Sequence, residues 1–127
     1  MNTPLTSASV LESAPTGEQQ EQAARRRFPR YRTNLPVRVR IRQQRNLDGC
    51  CFVIAEGGLG ANLPEPISVG SVVQLLFVLP PHSTPLKVWA VVRHQLDRHH
   101  GFEFLSLTED ERLAVRQFCN ELAAASH

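Results

Sequence analysis

Nine arginines stand between Gln22 and Leu47 (Arg25, Arg26, Arg27, Arg30, Arg32, Arg38, Arg40, Arg42 and Arg45), and no carboxylate interrupts them. The rest of the chain holds five basic and twelve acidic residues, a net of −7, so the formal charge of +2 conceals a cationic arm joined to an acidic body. That separation points to capture of a discrete anion rather than to general adhesion to nucleic acid. Lys87 is the single lysine. The bias toward guanidinium suits phosphate oxygens and the O6/N7 edge of guanine, which a planar fork meets with paired hydrogen bonds. A second grouping is Glu56-Gly57-Gly58-Leu59-Gly60. Such a turn lets backbone approach a ligand without Cβ interference, or simply connects two strands.

Other reactive residue types do not assemble. Cys50 and Cys51 are adjacent, so in a strand they face opposite sides and cannot serve one metal together. The same objection applies to His99 and His100, Cys119 lies in a predicted helix, and neither CxxC nor HxxxH spacing occurs. An odd count of three cysteines fits a reducing compartment, with the thiols acting as small buried apolar groups. There is no Ser/His/Asp constellation, no Walker loop and no paired carboxylates in a plausible cleft, and the glycine cluster lacks a following helix. The expectation is a protein that is not an enzyme and carries neither metal nor cofactor.

These residues need a scaffold, and 127 residues with 42% hydrophobic content suffice for one compact core. The longest apolar stretch, Ser71 to Leu79, is interrupted by Gln74 and halted by Pro80-Pro81, well short of the ~20 residues of a membrane-spanning helix. The N-terminus has neither a basic start nor an apolar run of signal length. The chain therefore reads as cytoplasmic, without membrane insertion. Residues 1–22, rich in Ser, Thr, Pro, Glu and Gln, read as a disordered tail. Residues 23–34 form the arginine-rich arm, where Pro29 holds Phe28 extended. Residues 35–123 form the folded body.

Period-two alternation of Val37, Val39 and Ile41 with Arg38, Arg40 and Arg42 predicts a first strand from Leu35, its arginines forming a solvated face that shields an edge. A turn at Asn46 to Gly49 leads to a second strand, CCFVIA, and the glycine turn to a short strand at Ala61 to Leu63. Ser71 to Leu79 predicts a strand buried on both faces. Leu86 to Leu96 and Gly101 to Leu107 follow, with a turn at Asp97 to His99 and with Trp89 either in the core or on a surface patch. Thr108-Glu109-Asp110-Glu111 is a capping box, and Val115, Phe118, Cys119 and Leu122 then share one helical face. Short strands ending in one helix indicate an all-β protein, a small antiparallel barrel with a C-terminal helix.

The spacing Arg26-x-x-x-Arg30, in the context RRRFPRYRTNLPVRV, resembles the opening motif of PilZ domains, six-stranded bacterial β-barrels that bind the second messenger cyclic di-GMP. Their second motif, Asp/Asn-x-Ser-x-x-Gly, often continues as Glu, two glycines, an aliphatic residue and Gly, which Glu56 to Gly60 match. The ending GFEFLSLTEDERLAVRQF is similar to the family's last strand and helix. With Gly58 in the motif's glycine position, Val53 stands where Asp or Asn is expected and Ala55 where Ser is expected. Two polar contacts to guanine are then missing, each worth ~0.5–1.5 kcal/mol.

The resemblance implies a cyclic di-GMP receptor that relays ligand level through ordering of its arm to a downstream protein partner. Arg25, Arg26, Arg30, Val53, Ala55 and Gly58 are the ligand-binding positions it implies; the alternative for Arg25, as for Arg27 and Arg32, is a contribution to general positive field only. No specific nucleic acid is expected as a partner. The alternatives are a PilZ-like barrel that has lost nucleotide binding and acts as a protein adaptor, and a nucleic-acid binder using the arm.

Overall fold

Alternation of apolar and arginine side chains extends further toward the N-terminus than Leu35, so the first strand, β1, runs Tyr31–Ile41 and takes in the last residues of the arm. The computed structural model describes residues 28–42 and 45–125, so residues 1–22 and the first five residues of the arm, 23–27, lie outside the described residues. The further strands are β2 (Arg45–Ala55), β3 (Gly58–Asn62), β4 (Val72–Phe77), β5 (Leu86–Leu96) and β6 (His99–Ser106), followed by helix α1 (Glu109–Ala125). They close into one antiparallel barrel in the order β1-β2-β3-β6-β5-β4, with β1 pairing β4. The all-β barrel with a terminal helix is thus observed.

Three local expectations are corrected. Asn46 to Gly49 is strand, not turn. Leu47 is buried, Asp48 faces outward and receives Arg38 Nε at 2.7 Å, and the reversal instead begins at Arg42, whose φ is 57°. Gly49 serves spacing, since a Cβ there would lie 2.1 Å from the Asn62 carbonyl oxygen. Strand β3 begins at Gly58, because Ala55 and Gly58 already pair across the two residues Glu56 and Gly57. Strand β4 is buried on one face only: Val73, Leu75 and Phe77 point inward while Val72 is 54% exposed. A continuous apolar run signals two-sided burial only where a second layer covers the outer face.

The barrel interior is filled by alternate residues of every strand, including Val37, Val39, Ile54, Leu75, Val88, Ala90 and Phe102. Helix α1 packs on β1 and β2 through Val115, Phe118 and Cys119. Its start is the predicted capping box: the Thr108 N–H donates to Glu111 Oε1 at 2.9 Å and the Glu111 N–H to Thr108 Oγ1 at 3.1 Å.

His100 is the one buried polar side chain among the described residues, at 1% exposure. Its Nε2 accepts the Ile67 N–H at 2.8 Å, and its Nδ1 lies 2.9 Å from the Arg98 carbonyl oxygen, which selects the neutral tautomer protonated at Nδ1. Burial pushes its pKa below the ordinary histidine value, His99 and His94 add to the effect, and the Arg98 carbonyl opposes it. The unfolded chain therefore takes up this proton first. The stabilisation is complete above about pH 6.5 and declines as the pH falls from there toward the folded-state value. Urea midpoints measured between pH 7.5 and 5 are expected to drop for the natural chain and to drop less for His100→Gln, which keeps an acceptor toward Ile67. Equal slopes would remove His100 as the cause.

Candidate functional site

The β2–β3 hairpin and the entry of β1 meet at one end of the barrel. Tyr31 pairs with Ile54 and Arg32 with Val53. Just upstream, Phe28 lies over the glycine turn, since a Cβ on Gly57 would stand 3.3 Å from Phe28 Cδ2. Arg30 is bracketed between these two fixed points and is solvent-exposed. Alternation along β1 turns Arg32 outward, onto the face it shares with Val53.

Strand β2 carries an extra residue at this level: Cys51 pairs with Ala61 and Val53 with Gly60, leaving Phe52 unpaired in a bulge. Phe52 is pushed outward and its ring tilts against that of His99, with centroids 5.5 Å apart. Both Val53 and Phe52 close over Gly60, whose Cβ would lie 2.7 Å from Val53 Cγ1 and 3.1 Å from Phe52 Cζ. The glycines here are chosen for space rather than for backbone freedom. None of Gly57, Gly58 and Gly60 has a positive φ, and a Cβ on Gly58 would sit 2.0 Å from the Phe102 carbonyl oxygen. The close approach that Gly58 permits is therefore to β6. Glu56 turns away toward α1, its Oε1 lying 3.4 Å from Arg116 Nε.

Arg30, Val53, Ala55 and Gly58 are thus brought to one end of the β1–β2–β3 face, while Arg25 and Arg26 lie outside the described residues. Val53 and Ala55 are both half-buried, two residues apart in β2. Sequence reasoning missed the position of Arg32 opposite Val53, and the covering roles of Phe28 and Phe52. The outward phase of Arg32 was readable from alternation; the cross-strand partner was not. Arg32 makes no ion pair with a described residue, so its guanidinium adds an uncompensated positive charge beside the site.

Burial pushes the Cys51 thiol up to about 12 and that of Cys119 to about 11, so both stay protonated at neutral pH. No group of metal-ligating side chains occurs among the described residues. No described helix is long and apolar enough to cross a membrane.

A family profile described as the PilZ domain matches residues 24–121. No curated protein matches the chain significantly. Among solved structures, the PilZ domain of YcgR from Escherichia coli with c-di-GMP is similar, with TM-score 0.66, 14% identity, and coverage of 80% of this chain and 94% of that one. The Bacillus subtilis inhibitor of motility MotI/DgrA aligns with TM-score 0.69 at 19% identity, over 79% of this chain and 52% of that one. The MrkH–c-di-GMP complex of K. pneumonia aligns with TM-score 0.70 at 16% identity, over 80% and 53%. The chain thus spans about half the length of MotI/DgrA and MrkH.

Proposed function

This chain belongs to the PilZ domain family, and from that premise we propose that it is a receptor for cyclic di-GMP, held between the arginine arm and the outer face of β1–β2–β3. The observation that carries this reading is the bracketing of Arg30 beside the glycine turn, with Arg32 across from Val53. A dianion with two guanines is a suitable occupant. Guanidinium forks of Arg25, Arg26 and Arg30 can meet its phosphate oxygens and O6/N7 edges in pairs. Phe28, seated on Gly57, offers a fulcrum about which the arm upstream closes when the ligand neutralises it. Ordering of that arm is then the signal passed to a protein partner.

Titration calorimetry with cyclic di-GMP tests the proposal, and a saturable heat absent with GMP is the expected result. No heat at millimolar ligand would favour the adaptor reading, which Val53 supports by filling the space over Gly60 with hydrocarbon.

Val53→Asp with Ala55→Ser is the gain-of-function counterpart. The carboxylate would face Arg32, which keeps it ionised, and the pair would supply an acceptor and a hydroxyl toward guanine. Two contacts regained at ~1 kcal/mol or more each raise affinity at least about tenfold. A variant with an unchanged circular dichroism spectrum that binds no tighter would show that this face does not meet the base.

A further inference from the structure

Across the barrel from that face, the outer surface of β4 and β5 holds apolar side chains that nothing in the described structure covers. Trp89 is 52% exposed and Leu105 48%. With the exposed Val72 they are neighbours by register: Val72 pairs with Val91, Gln74 with Trp89, and Leu105 is the unpaired residue where β6 bulges past Trp89. Val91, between them on the outward phase of β5, lies outside the core cluster and is 6% exposed. Two cations flank the tryptophan. Arg40 lies opposite Gln74 from the β1 side, and Lys87 precedes Trp89 on the same face, opposite Leu76. Neither makes an ion pair with a described residue, whereas nearby Arg38 and Arg93 are neutralised by Asp48 and Glu103. Interfaces draw their binding energy from such half-exposed aromatic anchors, with charges at the rim selecting the partner.

We infer that this face docks an acidic polypeptide segment, seating a large apolar side chain of it against Trp89 and Leu105 while its carboxylates meet Arg40 and Lys87. Self-association fits less well, because a two-fold pairing of the face would bring the same cations together. A nucleic acid strand fits less well too, because with Arg38 and Arg93 neutralised the surface offers only two cations to a phosphate backbone that carries a charge at every step. Strand β5 is three strands from β2 in either direction around the closed ring, so docking does not depend on the nucleotide reading.

Trp89 is the sole tryptophan, so its emission reports on this surface alone. The probes are a fluorescein-labelled synthetic peptide of alternating Glu and Leu around a central Phe, the same peptide with Lys for Glu, and an oligothymidylate. The acidic peptide is expected to shift Trp89 emission to the blue and to bind saturably by anisotropy. Trp89→Ala should weaken that binding at least about tenfold, and Arg40→Glu with Lys87→Glu should transfer the preference to the lysine peptide. Arg30→Ala should leave peptide binding intact, which separates this surface from the nucleotide site. The inference is overturned by no binding of the acidic peptide at millimolar concentration, by equal affinity for both peptides, by tighter binding of the oligothymidylate, or by a dimer in sedimentation that Trp89→Ala dissolves. A red shift of Trp89 on removal of residues 1–22 would also overturn it, by making the chain's own tail the occupant.

Discussion

Alanine in place of Arg26 or of Arg30 is expected to weaken cyclic di-GMP binding by ~1.5–3 kcal/mol each, roughly tenfold to over a hundredfold, as a charge-assisted contact to phosphate or guanine is lost. Arg42→Ala is the control. It removes a guanidinium at a positive-φ turn that the resemblance does not assign to the ligand, and it should change affinity little. Both arginines act on one small ligand, so the double variant should lose less than the sum of the singles. Calorimetry at two salt concentrations then separates contact from field, because a general field weakens with screening and a bidentate contact persists. If neither single variant binds differently from the natural chain, the two arginines are not the ligand's partners.

Gly58→Ala should cost more stability than any other substitution proposed here. Its Cβ would meet the carbonyl oxygen of Phe102 at 2.0 Å, a backbone atom that cannot swing aside as a side chain can. The strands cannot separate to make room, because the Gly58–Glu103 pairing and the 2.9 Å bond from the Phe104 N–H to the Gly57 oxygen hold them together. Overpacking in a core usually costs ~1–3 kcal/mol, and a fixed backbone neighbour places this change at or beyond the upper end. Gly57→Ala provides the contrast, since its Cβ meets only the Phe28 ring at 3.3 Å, which can tilt. Urea unfolding is expected to show a large fall in midpoint for the first and a small one for the second. Equal midpoints would mean that β3 and β6 are further apart than the structure has them. The contrast also decides which glycine is useful in binding studies: affinity lost in Gly58→Ala reports unfolding, whereas a change in Gly57→Ala reports the seat of the arm.

What was legible in the sequence depends on residues close together along the chain. Alternation of Val37, Val39 and Ile41 with arginines announces a half-buried strand because side-chain direction repeats every two residues. Thr108 and Glu111 announce a helix start because their reciprocal hydrogen bonds span three residues. Arg26, Arg30 and the run from Glu56 to Gly60 carry the family resemblance as local strings. Asn46 to Gly49 misled because polar residues and glycine make turns locally. Here ring closure imposes a strand, with Asp48 bonded to Arg38 and Gly49 yielding space to Asn62.

The remaining features belong to pairs that only the closed barrel creates. That Arg32 faces Val53, that a bulge throws Phe52 over Gly60, and that Trp89 lies outside between Gln74 and Leu105 all follow from register. Register is a relation between segments distant in the chain, and a single-residue bulge shifts every pairing beyond it. Burial is likewise a property of neighbours: Val72 and Val73 are equally apolar, yet one faces water and the other the core because the barrel has a single interior.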